Sequence, residues 1–309
     1  MVSGNIAIVD KLLDDVRHLR DTGHVDGALP SALNAVTKVR EIAEVDSEAE
    51  ARLVTALNLY GELLRDSGAS DRAEAAYKEA IEIAERIGAK PEIIGQLKTS
   101  LAGIYDFSDR EDAALPLYEE AIEIMESLEP PKALPASHLR NNVAMILKGL
   151  QRYEEAEVHY NKALEVFENK YGKNSENVAA VYNNLGSLYY SASMDGNSEG
   201  EKESNYAKRA SEMMETAMDI RREIFSSFDP ELGQAHSNLA SIFYHLDAPE
   251  KAKENFEASI RILEKNVPAH LEDYEITVQN YLDILRDWGE ERRARAIDKR
   301  FRKILRKFT

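Results

Sequence analysis

From Ala73 to Ala84 the apolar side chains fall at positions 73, 76, 77, 80, 81 and 84. That spacing follows one face of a helix, and few stretches of the chain show the alternation of a β-strand. The pattern then recurs. Leu57-Asn58-Leu59-Tyr60-Gly61 is followed by Ala73, Tyr77 and Ala80. Thr99-Ser100-Leu101-Ala102 is followed by Ala114, Tyr118 and Ala121, and Asn142-Val143-Ala144 by Ala156, Tyr160 and Ala163. In all three, the small residue of a first helix precedes Ala by 12, Tyr by 16 and Ala by 19 positions. A fixed period of this length predicts a stacked array of helix pairs.

The small-residue position can be followed through Gly61, Ala102, Ala144, Gly186, Ala240 and Leu282, at spacings of 41, 42, 42, 54 and 42. The 54 is a 42 with 12 extra residues, because the partner set of Gly186 falls late, at Ala210, Met214 and Ala217. The next copy resumes with Ala252, Phe256 and Ser259, and the last is degenerate, with Ala294, Asp298 and Phe301. A fainter copy, with Leu19 and then Ala28, Ala32 and Ala35, precedes them all. Small residues let two helix backbones approach, and a ring from the neighbouring helix fills the gap that remains. Turn chemistry separates the helices at Ser67-Gly68-Ala69-Ser70-Asp71, at Lys90-Pro91 and at Pro130-Pro131. The expected organisation is a divergent helical hairpin over 1–48 and six repeats over 49–309. Their approximate limits are 54–94, 95–136, 137–178, 179–232, 233–274 and 275–309, with a loop insertion near 191–204 and a basic helix at the end.

These residues resemble the tetratricopeptide repeat, in which two antiparallel helices cross at a small residue and an aromatic knob sits on the second. The usual unit is about 34 residues. The 42-residue unit here, with Asn-Asn-Leu-Gly-x-Leu-Tyr from Asn183 to Tyr189 and Ser-Asn-Leu-Ala-x-Ile-Phe from Ser237 to Phe243, is more similar to the kinesin light chain subtype. The resemblance implies an all-α, right-handed solenoid of about seven helix-turn-helix hairpins. It also implies a protein-binding scaffold whose concave groove is lined by the first helices.

Composition narrows the function. Without cysteine there is no disulfide frame, thiolate nucleophile or Cys-based zinc site. The first ten residues lack the basic start of a signal peptide, and no stretch approaches the roughly 20 apolar residues of a membrane span, so a cytoplasmic location is expected. The net charge of −17 argues against a nucleic-acid partner, which requires a basic surface. The charge is uneven: residues 290–309 carry nine Lys/Arg and three Asp/Glu, which is +6 against −23 for the remainder. No phosphate-binding Gly loop, nucleophile elbow or metal-ligand His spacing occurs among the seven histidines, so neither an enzyme nor a cofactor site is expected.

Three binding candidates remain. Asn142, Asn184, Asn238 and Asn280 share one position, two before the small residue, in four successive repeats, and Asn141 and Asn183 precede two of them. Asn is a poor helix former, so propensity does not place it there. A carboxamide donates and accepts, which suits it to grip a peptide backbone. One turn further on the same face lie Met145, Ser187, Ser241 and Asp283, then Lys148, Tyr190, Tyr244 and Arg286. The competing reading is that the asparagines bond to neighbouring repeats and order the stack. Where repeats that grip a C-terminal carboxylate carry Lys and Arg, this groove has Asn58, Thr99, Asn141, Asn183, Ser237 and Gln279. Carboxylate clamping in the groove is therefore not expected. The second candidate is the polar insertion 191–204, a binding loop or a tolerated one. The third is the basic amphipathic tail, whose apolar residues at 294, 297, 301, 304, 305 and 308 form one stripe. The stripe either packs on the preceding helix or serves self-association with an acidic region of a second copy. The alternative to a groove-binding scaffold is a self-assembling repeat protein that works through its ends or convex face.

Overall fold

The computed structural model describes residues 2–43, 47–195 and 201–308. Those residues form helices and turns, with no strand among them. In chain order the helices are α1 (Val2–Asp21), α2 (Val25–Ala43), α3 (Ser47–Asp66), α4 (Ser70–Arg86), α5 (Pro91–Phe107), α6 (Glu111–Ser127) and α7 (Ala133–Gly149). They continue with α8 (Tyr153–Tyr171), α9 (Glu176–Met194), α10 (Glu201–Ile224), α11 (Pro230–His245), α12 (Pro249–Asn266), α13 (Leu271–Asp287) and α14 (Glu291–Leu305). The chain divides into two compact units, Met1–Ile146 and Leu147–Thr309, with the boundary inside α7.

In the first unit α1 packs on α2, α3 on α4 and α5 on α6, and each pair packs on the next. The faint first copy is real structure: Ala28, Ala32 and Ala35 are buried on α2. On α4 the periodic apolar set becomes the buried face, with Ala73, Ala76, Tyr77, Ala80, Ile83 and Ala84. In the second unit α9 packs on α10, α11 on α12 and α13 on α14. The last of these pairs closes the core. Ala294 and Ile304 are buried against Tyr274, Tyr281 and Phe256, with Ile297 and Phe301 packed alongside. The apolar stripe of the tail is thus used within the chain.

The turns are as regular as the helices. Seven residues after the small position the backbone enters the left-handed region: Gly68 (φ 78°), Asp109 (53°), Gln151 (60°), Asp247 (51°) and Gly289 (75°). Glycine and aspartate take that conformation at modest cost, whereas Gln151 is an unusual occupant. The repeat carrying the insertion breaks the rule, since the matching residue, Ser193, lies inside α9. There the expected loop over 191–204 is corrected: α9 continues through Met194 and α10 begins at Glu201. The insertion is largely taken up by longer helices, and α10 runs for 24 residues. Its centre, 196–200, lies outside the described residues. The repeat limits expected at 54, 95, 137, 179, 233 and 275 each fall inside a first helix, because the alignment is anchored on the crossing point and not on a turn.

Candidate functional site

The first helices α5, α7, α9, α11 and α13 present the expected groove positions, and the structure sorts them. In the first unit, Asn142 is half-buried and reaches the Tyr118 hydroxyl, which belongs to the ring of the preceding hairpin. Burial pushes that hydroxyl's pKa up to about 12. Ser100, at the same position one repeat earlier, lies near Tyr77, whose buried hydroxyl makes no hydrogen bond among the described residues. Asn141 lies one residue earlier, half-buried, with its amide 3.7 Å from Met145 Sδ. In this unit the ladder position meets the neighbouring repeat.

The second unit is different. Asn183 and Asn184 are half-buried on α9, whereas Asn238 on α11 and Asn280 on α13 are exposed. Ser241 donates back to the carbonyl of Ser237 at 3.2 Å, and Ser237 Oγ accepts from Thr277 of the next first helix at 3.1 Å. Ser187 accepts a hydrogen bond from the ammonium of Lys148 at 3.0 Å. Burial pulls the Lys148 pKa down, because a half-buried ammonium loses hydration.

Beyond Ser187 the rings form a continuous row. Tyr190 packs on His245 with centroids 5.2 Å apart, His245 on Tyr244 at 5.0 Å, and Tyr244 on Trp288 at 5.6 Å. Tyr244 donates to Asp287 at 2.8 Å, and the Lys253 ammonium lies 5.2 Å from the Trp288 ring centroid. Burial raises the Tyr190 pKa and lowers that of His245. The row crosses the ends of three first helices, so its spacing is set by helix packing. Tyr190, Tyr244 and Trp288 are half-buried and His245 is exposed, so part of the ring surface stays open. Such a surface offers a large apolar contact area at low entropic cost.

A sequence profile of the tetratricopeptide repeat family matches residues 52–127 and 135–195. The crystal structure of BtubC (BKLC) from P. vanneervenii is 31% identical, over 79% of this chain and 92% of that one, with a TM-score of 0.62. The chain belongs to the tetratricopeptide repeat proteins. Two more distant structures share the fold. A putative kinesin light chain from Podosopora anserina with nearly identical TPR-like repeats is 13% identical, covering 70% of this chain and 97% of that one, with a TM-score of 0.58. The apo form of the quorum sensor NprR from B. thuringiensis is 13% identical, covering 97% and 82%, with a TM-score of 0.62. No curated protein sequence matches.

In this tetratricopeptide repeat protein the groove face read from the sequence holds Lys148, Ser187, Tyr190 and Tyr244, and the structure adds Asp287 and Trp288 beside them. Lys148 and Tyr190 both lie four residues after the small position, as Tyr244 does. Trp288, the sole tryptophan, sits just past the end of α13, where no repeat position points to it. Among the described residues no group of His, Asp and Glu could hold a metal, and no helix is long and apolar enough to cross a membrane.

Proposed function

We propose that this repeat protein is a non-catalytic scaffold that binds a peptide or an extended partner segment along the first-helix ends of its second unit. The continuous row Tyr190, His245, Tyr244 and Trp288 is the observation that supports this reading. A segment laid across it would cover apolar ring edges. The carboxamides of Asn183, Asn184, Asn238 and Asn280 and the hydroxyls of Ser187 and Ser241 supply backbone partners on the same helices. Lys148 and Asp287 place one charge of each sign beside the row, which suits a segment of mixed charge.

The test is calorimetric titration of a partner recovered on the intact chain. Tyr190→Ala and Trp288→Ala are each expected to weaken binding at least about tenfold, near 1.4 kcal/mol, as for truncated aromatic anchors. Joint Asn184→Ala and Asn238→Ala is expected to cost about 2- to 12-fold per residue. Thermal melting of each variant controls for folding. Unchanged affinity in both aromatic variants removes the site from this row.

A further inference from the structure

One polar position repeats between consecutive helix pairs, and at one junction its charge is reversed. At three junctions the residue four before the small position of a first helix faces the residue 24 after the preceding small position; at the last, that residue is the apolar Val278. In the first unit that contact is an ion pair twice. Lys98 meets Glu85 at 3.1 Å, and Arg140, almost fully buried, meets Glu126 at 2.6 Å. In the second unit Tyr182 faces Glu168; burial, with the Glu168 charge beside it, raises the Tyr182 pKa. At the last junction the same place holds Glu264, which pairs with Arg300. Four of the five junctions therefore carry a glutamate there. The exception lies between α10 and α11, where, once the 12-residue insertion is discounted, the glutamate is replaced by Arg222 and the facing residue is His236.

That junction is also hollow. A cavity of about 460 Å³ opens between α10 and α12, floored by α11, with Arg222, His236 and Arg261 among its lining. It lies on the second-helix side, away from the aromatic row. Position 258, one turn before Arg261, is Ala, so no side chain of α12 fills the space at that level. His236 is 9% exposed and held by Asn255, its Nδ1 2.7 Å from Oδ1. Burial is the foremost cause that lowers its pKa, the Asn255 hydrogen bond opposes it, and the two guanidinium groups and Glu254 act in opposite senses. Glu254 also lines the cavity with no ion pair among the described residues, whereas the other two carboxylates are tied locally. Asp219 pairs with Arg222 one turn along the same helix at 3.2 Å, and Glu215 pairs with Lys251 at 3.4 Å. Arg261 has no carboxylate partner among the described residues.

We infer that the cavity between α10 and α12 is a binding site for a guest carboxylate, held by Arg222 and Arg261, which brings to this junction the negative charge that a glutamate carries at the other four. Guanidinium groups suit this ligand because they present paired N–H donors to the two oxygens of a carboxylate. The exposed Asp219 pair is a weak competitor, since a solvated intrahelical ion pair contributes little.

The experiment is titration of the intact chain with four probes: succinate, N-acetyl-glutamate amide, N-acetyl-dialanine with a free C-terminus, and inorganic phosphate. Saturable binding of a carboxylate probe, tighter than phosphate, is expected. The tightest of the three distinguishes a free diacid, a glutamate side chain and a chain end as the source. Arg222→Glu restores the glutamate of the other junctions, so melting temperature should hold or rise while carboxylate binding falls at least about tenfold. Arg261→Gln, which alters an exposed-end cation and no buried pair, should weaken binding at least about fivefold with the fold intact. The inference is overturned if no carboxylate binds saturably, if phosphate binds as tightly, or if binding survives both substitutions.

Discussion

The Tyr77 ring lies directly over Gly61: a β-carbon built on Gly61 would stand 2.7 Å from Tyr77 Cε1 and 2.8 Å from Cζ. Tyr77 is fully buried and has nowhere to retreat. Glycine here serves close approach of a ring, and the same logic holds at Gly186, where the added carbon would stand 2.4 Å from Met214 Cγ. Gly61→Ala is expected to cost about 1–3 kcal/mol by overpacking. Chemical denaturation of the single variant checks it, and an unchanged midpoint would place the ring elsewhere.

The knob positions should be costlier to empty. Tyr118 and Tyr160 are 3% and 1% exposed. Replacing either by Ala is expected to cost roughly 3–5 kcal/mol. Because stability in a repeat array is a sum of neighbour terms, the loss should melt one part of the array first. Calorimetry with hydrogen exchange would show the early-melting segment, and full retention of the wild-type transition contradicts the packing role.

The asparagine ladder should divide in two. Asn142→Ala removes the contact with the buried Tyr118 hydroxyl, which is worth about 0.5–1.5 kcal/mol. Asn238 is exposed, so Asn238→Ala changes helix propensity alone, in Ala's favour by up to about 0.7 kcal/mol. Asn238→Ala is therefore expected to be the more stable of the two variants, by about 1 kcal/mol. Equal denaturation midpoints would show that Asn142 orders nothing.

Glu74 gives the first unit an acid-sensitive contact. It accepts from Arg110 at 2.9 Å, Lys78 at 2.6 Å and Tyr105 at 3.2 Å. The Arg110 bond is foremost among the causes that bring its pKa down to about 2, from an ordinary value of 4.5. A carboxyl depressed in the folded state stabilises fully above its unfolded pKa and loses that contribution as pH falls. The window here runs from about 4.5 down to about 2. Glu74→Gln should lower the melting temperature at pH 7 and match the parent near pH 2. A constant gap across that range would mean the charge is not what matters.

Much of the fold was legible because its signal is local. Gly61, Ala102 and Ala144, each followed by a tyrosine 16 positions on, state the helix crossing in one short segment. The tail stripe 294–304 announced a packed helix in the same way, and Phe301 and Ile304 duly join the core. The loop expected over 191–204 was drawn too long, because Gly, Ser and Asn suggest a turn. Helices α9 and α10 extend into its two ends, to Met194 and from Glu201, and its centre lies outside the described residues.

The sequence by itself determined the helix pairs, their period and which residues cross, since those depend on side chains 3 to 19 positions apart on contiguous helices. Only the tertiary structure decided what faces what between pairs. Tyr190 meets His245 across 55 positions and Tyr244 meets Trp288 across 44, one repeat plus one or two residues, and the period by itself does not say which neighbours touch. The cavity beside Arg222 and His236 was silent for the same reason. A missing carboxylate is visible only when the partner that should face it has been brought alongside by packing.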